Sequence, residues 1–264
     1  MNAGVPAQAV TLQARDGRTL GAVLLRAQTP RAALSINGAT GFRREFYLQF
    51  AAYCAARGYH TLAYDYRGIG ASVHAPLAQE PARMSEWGRL DMPAALQWLA
   101  REFPQLPLMT LGHSVGGQLI GCMPNQALLF WRLYGPLALR RRGYVPRGLF
   151  WRGAALPPGV FLQWRRWCES AAPFGRALDA DLSDEAFAAV RAPILALSFS
   201  DDPIATPAAV EALLAVYASA RIERRCITPA AAGVRRIGHH GFFEPAHRAS
   251  LWATTLDWLD ARCG

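Results

Sequence analysis

The sequence predicts an α/β protein: a mostly parallel sheet flanked by helices, with a helical cap inserted into it. Three observations predict this class. Short apolar or alternating segments take turns along the chain with segments of helical periodicity. The pentapeptide Gly112-His113-Ser114-Val115-Gly116 stands between one such strand and one such helix. Composition changes abruptly in the middle of the chain, where arginine and tryptophan crowd into a single stretch.

The elements follow in order. AVTLQARDGRTLGAVLLRA alternates on either side of Asp16-Gly17, a turn pair that favours a hairpin. RAALSING reads as a short buried strand, and Glu45 to Arg57 as a helix stopped by Gly58. YHTLAYDYRG is the next strand and Glu86 to Phe103 the next helix. PLMTLGHS runs as a strand into the pentapeptide, and VGGQLIG opens a helix after it. APILALSFS gives another strand, Pro207 to Ala218 a helix and ARIERRCITP a further strand. Pro245 to Arg262 closes the chain as a helix with Leu251, Leu256 and Leu259 on its apolar side. No repeat or low-complexity tract interrupts this order. In such a sheet ligands bind beyond the carboxyl ends of the strands, so the residues after each strand carry the functional question.

The chain has 264 residues, enough for one core with an insertion. No apolar run reaches the roughly 18 residues that span a bilayer. The opening MNAGVPAQAV has no basic stretch leading into an apolar one, so a cytoplasmic protein is expected. The five cysteines are widely spaced without a C-x-x-C pair, which argues against a metal or disulfide framework. The net charge is +9 and no lysine occurs. Between Cys122 and Leu178 nine arginines stand against Glu169 alone, so this stretch carries nearly all of the excess. The expected organisation is a first core part at 1–124, an Arg/Trp-rich cap at 125–184 and a second core part at 185–264. Nucleic acid is not an expected partner, because no recognition motif accompanies the charge. The basic cap suits an anionic group on the substrate or peripheral contact with an anionic membrane. Oligomeric state has no signature.

Ser114 stands where a nucleophile elbow belongs, with glycines at 112 and 116 permitting a sharp turn between strand and helix. A serine at its own pKa is a poor nucleophile and needs a base, which in turn needs an orienting acid. After the strand 194–199 comes SDDPIAT, with Asp201 and Asp202. Near the C-terminus comes GHHGFFEP, with His239 and His240. Adjacent residues point different ways, so one of each pair is expected to act and the other to hold a turn or face outward. Two N–H donors complete an oxyanion hole. Val115 follows the nucleophile, and Ala39, with Thr40 as the alternative, lies in the glycine-rich NGATGF that follows the ALSI strand. His113 is expected to pack beneath the elbow. In DYRGIGAS, Arg67 is expected to brace a tight loop by binding backbone carbonyls.

NGATGFRREFY, YDYRGIGAS, LGHSVGGQ, GYVPRGLFWRG, LPPGVFLQWRRWC, SFSDDPIA and RRIGHHGFFEP together resemble the α/β-hydrolase superfamily. The resemblance is to relatives of monoacylglycerol lipases and serine aminopeptidases, and more narrowly to a bacterial family of predicted α/β hydrolases. It covers most of the chain. It implies Asp202 over Asp201, because the acid of such enzymes commonly precedes an x-[IV] pair, here Pro203-Ile204. It implies His239 over His240, which then faces the surface or the cap. The implied activity is that of a cofactor-free serine hydrolase on carboxylic esters or thioesters. Acyl transfer on the same residues, or a non-catalytic binding or membrane-associated protein on this fold, are the alternatives. The sequence departs in one place: the sixth core strand is missing or shortened, with only Ala127 to Trp131 able to supply it.

Overall fold

The computed structural model describes residues 6–119, 135–148, 151, 153–169 and 187–263. They form two compact units. The first draws on Met1–Leu119 and Ala127–Arg166, the second on Trp167–Gly264. The expected sixth strand at 127–131 lies outside the described residues. The described part of the expected cap up to Arg166 belongs with the first core segment.

The first unit holds a five-stranded sheet in the order β1-β2-β4-β3-β5. β1 (Ala7–Gln13) and β2 (Thr19–Leu25) form the expected hairpin, and Gly17 takes a φ of +83° in its turn. β2 runs antiparallel to β4 (Tyr59–Tyr64), while β3 (Ala32–Asn37) is parallel both to β4 and to β5 (Leu108–Gly112). Every residue of β3 and β4 is buried, as central strands covered on both faces require. Asn37 ties the carboxyl ends of three strands together. Its amide donates to Thr110 Oγ1 at 2.7 Å and its side-chain oxygen accepts from Tyr64 Oη at 2.7 Å.

Helix α1 (Leu48–Ala56) follows a 3-10 turn at Arg44–Tyr47 and ends at Gly58, whose φ is +96°. The helix expected over Glu86 to Phe103 is composite. A short turn α2 (Met84–Glu86) leads into a π-helical stretch, Trp87–Asp91, and then into α3 (Met92–Glu102). Pro93, in the first turn of α3, lacks the N–H that a regular i→i−4 ladder needs, and the wider turn before it accommodates this. Helix α4 (Val115–Gln118) begins directly after Ser114. The basic stretch contributes α5 (Gly135–Arg142) and α6 (Pro158–Glu169). Two antiparallel bridges, Val145 with Leu156 and Gly148 with Trp151, clip the chain between them. Within α6 the buried Gln163 receives Ser85 N–H at 2.8 Å and donates to Ser85 Oγ at 3.0 Å, which anchors this stretch to the turn at α2.

Among the described residues Arg67 binds carboxylates and not the backbone carbonyls expected of it. Its guanidinium meets three carboxylates, Asp91 at 2.7 Å, Asp16 at 2.8 Å and Glu86 at 3.5 Å. With Arg67 and Asp91 both buried, unpaired backbone oxygens would supply too little charge to hold the guanidinium, and carboxylates replace them.

In the second unit β6 (Ile194–Phe199) pairs in parallel with β7 (Ile222–Ile227). Between them runs α7 (Pro207–Leu214), capped by Thr206 Oγ1 accepting from Ala209 N–H. The chain closes with α8 (Ala253–Asp260), shorter than the expected 245–262 because a 3-10 turn and a π-helical stretch, Arg248–Trp252, precede it. Leu251, Trp252 and Leu256 are buried there. Among the described residues no helix is long and apolar enough to cross a membrane.

Candidate active site

Ser114 follows β5 with φ +52° and ψ −119°. It is the one residue other than glycine with positive φ among the described residues. A side chain in this region clashes with its own backbone, so the conformation persists only where the surroundings enforce it. Both flanking glycines do so. A Cβ on Gly116 would overlap the carbonyl of Asn37 at the end of β3, and one on Gly112 would overlap the backbone of Gly117. His113 N–H donates to Asn37 O at 3.0 Å, so the elbow is stitched to β3 as well as to β5. The carbonyl of Ser114 accepts from Gly117 and Gln118, which starts the helix.

The turn after β3 lies next to this elbow through the pairing of Asn37 with Gly112. Ala39 is 2% exposed and its N–H donates to Tyr47 Oη at 2.7 Å. Thr40 and Val115 are also buried, and among the described residues neither N–H donates to a protein acceptor. His113, expected to pack beneath the elbow, is buried among aromatic rings. Its ring stacks on Phe46, with centroids 6.3 Å apart, and stands edge-on to Phe42 and Tyr47.

In the second unit the two aspartates after β6 divide one task. Asp202 Oδ2 lies 2.8 Å from His239 Nδ1, and its Oδ1 accepts from Ile204 and Ala205 N–H at 2.8 and 3.0 Å. Burial raises the carboxyl's pKa, but the His239 contact and the two amides outweigh it and hold Asp202 below the ordinary range. Asp201 instead accepts the backbone N–H groups of Ile237 and Gly238 at 2.9 and 3.0 Å. It fixes the loop that delivers the histidine, with Gly238 at φ +60° turning the chain just before it. Asp202 then orients the imidazole itself. His240 is exposed, its ring edge-on to His239 with centroids 4.7 Å apart.

Two contributors have no signal of their own in the sequence. Asn37 braces the strand ends, and Tyr47 reaches the turn after β3 from the start of α1. A hydroxyl-bearing aromatic on the buried side of the helix expected at 45–57 is the one trace that Tyr47 leaves.

A strand, a strained serine and a helix in immediate succession, on a sheet of this order, define the α/β-hydrolase fold, and comparisons with solved structures agree. The chain is similar to a carboxyl esterase of Bacillus coagulans solved with glycerol, at 13% identity over 98% of this chain and 99% of that one, with a TM-score of 0.64. It is similar to an esterase of Pyrococcus furiosus at 12% identity over 98% and 94%, TM-score 0.62. A soluble variant of the monoglyceride lipase of Saccharomyces cerevisiae, solved with a substrate analogue, matches at 14% identity over 97% and 96%, TM-score 0.62. The chain has the α/β-hydrolase fold. Within it, residues 28–121 match the family model described as serine aminopeptidase, S33. That segment runs from just before β3 to just after the elbow. A search of curated proteins finds no significant match.

Proposed function

We propose that this chain is a serine hydrolase of carboxylic esters or thioesters, with Ser114 as nucleophile. The observation that carries the reading is the enforced positive φ of Ser114 between β5 and α4. Strain at a serine that two glycines and a neighbouring strand end are arranged to hold has little purpose except to project the hydroxyl. The pairing of His239 with Asp202, in the chain order Ser, Asp, His, supports it.

In this reading His239 Nε2 takes the proton of Ser114 as Oγ attacks the carbonyl carbon. Asp202, accepting from Nδ1–H, keeps the tautomer that leaves Nε2 able to receive it, and stabilises the imidazolium. The oxyanion is received by Val115 N–H and by an amide of the 37–42 turn, where Ala39 and Thr40 are the candidates. Collapse breaks the bond to the leaving alcohol or thiol, which departs with the proton from His239. Water, deprotonated by the same imidazole, then hydrolyses the acyl-serine and regenerates both groups. Esterase and lipase activities in proteins of the same fold support an ester substrate. The exposed guanidinium groups of Arg140, Arg141, Arg142, Arg147 and Arg166 favour substrates, or a membrane surface, carrying negative charge.

The test is hydrolysis of p-nitrophenyl esters and acyl thioesters of increasing chain length by wild type and Ser114→Ala. The reading predicts release in the wild type and a loss of at least about 10³-fold in the variant, since triad removal elsewhere costs up to about 10⁶. Acyl transfer would show instead as an added alcohol or amine becoming the main acyl product. Equal rates in both proteins would dismiss Ser114.

A further inference from the structure

A phenol joins the two segments on which the proposed reaction depends. Tyr47 is 1% exposed. Its hydroxyl lies 2.7 Å from Ala39 N, in the turn after β3, and 3.0 Å from Nδ1 of His113, the residue before Ser114. An amide N–H can only donate, so Oη accepts from Ala39. Burial pushes the phenol's pKa far up, with the Ala39 bond opposing, so the hydroxyl keeps its proton. His113 Nδ1 is placed to accept it.

The same turn is tethered from its other end. Ala154 N–H, in the clip between α5 and α6, donates to Gly41 O, and Trp151 Nε1 donates to Ala154 O at 2.6 Å. Gly41, at φ +70°, passes so close under the Trp151 ring that a Cβ there would collide with it. Between the two tethers stands Thr40, 5% exposed, and across the junction of β3 and β5 stands Val115, 1% exposed. Among the described residues neither amide has a protein acceptor. Buried amides without an acceptor are rare in folded proteins. Two of them lie near adjacent strand ends, beside a strained serine, and donors in such places are what an oxyanion hole requires.

We infer that Tyr47 is a positioning residue for acyl transfer: its hydroxyl occupies Ala39 N–H, donates to His113 Nδ1, and leaves Thr40 N–H to join Val115 N–H in the oxyanion hole. The inference rests on the serine-hydrolase reading of Ser114. It favours Thr40 over Ala39 as the donor from this turn, because the Ala39 amide already donates to Tyr47 Oη at 2.7 Å. It also gives His113 a task beyond packing, with its own proton carried on Nε2.

The experiment compares wild type with Tyr47→Phe in fluorophosphonate labelling and ester hydrolysis, with melting temperature as the control. Phenylalanine keeps the ring and removes only the hydroxyl, which unfastens the turn and frees Ala39 N–H. Because the hole acts on the transition state, the expected result is a fall in kcat of about tenfold or more, with KM within about twofold and slower labelling. A Tyr47→Phe protein that labels and turns over as fast as wild type, or faster, overturns the inference. No labelling of wild type at Ser114 would instead overturn the serine-hydrolase reading beneath it. Should Tyr47→Phe not fold, His113→Ala and His113→Asn decide the matter. Asparagine presents an acceptor near the former Nδ1, so it should recover at least half of the kcat lost in the alanine variant. Equal kcat in the two, at any level, contradicts the proposed acceptor role.

Discussion

Ser114 holds a backbone conformation that costs an L-residue on the order of 1–3 kcal/mol. Ser114→Gly should therefore raise the melting temperature relative to Ser114→Ala, by about 2–4 °C per kcal/mol relieved in a chain of this size. Scanning calorimetry of the two variants checks this, and equal melting would mean that the serine is unstrained. The aspartates after β6 make a second contrast. Asp202→Asn keeps the shape but favours the wrong imidazole tautomer, and kcat should fall by about 10⁴. Asp201→Asn replaces one of two acceptors for the 237–238 amides, so it should cost about 1 kcal/mol of stability and far less activity. Steady-state kinetics beside urea melts would separate them. Adjacency says only that these neighbours diverge, and the choice of Asp202 rests on the resemblance through Pro203-Ile204. Their division of labour comes from partners some 36 positions away. Tyr47 was illegible for the same reason: its partners come from a turn eight residues back and a strand end 66 residues on.

At the scale of elements, the strands were readable because β3 and β4 are short, mostly apolar or small runs and β1–β2 alternate around Asp16-Gly17. Helix starts were less so, because 3-10 and π turns precede α1, α3 and α8, and periodicity does not distinguish them from a continuing helix. The junction of β3 with the elbow makes its own prediction. Gly116→Ala would drive a methyl into the Asn37 carbonyl, which is backbone and cannot rotate away. It should destabilise the protein by several kcal/mol, in the upper range of overpacking, and abolish labelling of Ser114 in whatever remains folded. The His239–Asp202 loop sets a pH dependence. The Asp202 pKa is depressed in the folded state, so its contribution to stability is complete above the ordinary aspartate value of about 4 and is lost as pH falls through the lower folded value. Thermal melts between pH 6 and 3 should show this acid limb, and Asp202→Asn should flatten it.

At the scale of the molecule, the arginine-rich stretch stands out by composition, while packing divides the chain elsewhere. The described residues of that stretch up to Arg166 join the first core segment through Ser85–Gln163 and Gly41–Ala154. A change in composition marks an insertion, but it carries no information on which surface the insertion covers. The charge itself has a consequence for catalysis. If the exposed arginines of α5 and α6 attract substrate, KM for an ester bearing a carboxylate should rise with ionic strength between about 0.01 and 0.15 M, as the Debye length shortens from about 30 to 8 Å. KM for its neutral counterpart should not. The whole account depends on Ser114 being an activated nucleophile in the folded protein. The most direct measurement is exposure of purified wild type and Ser114→Ala to a fluorophosphonate, with the adduct located by peptide mass spectrometry. The account predicts one adduct, on Ser114, absent from the variant. Well-folded wild type that stays unmodified, or that is modified equally after the substitution, would contradict it.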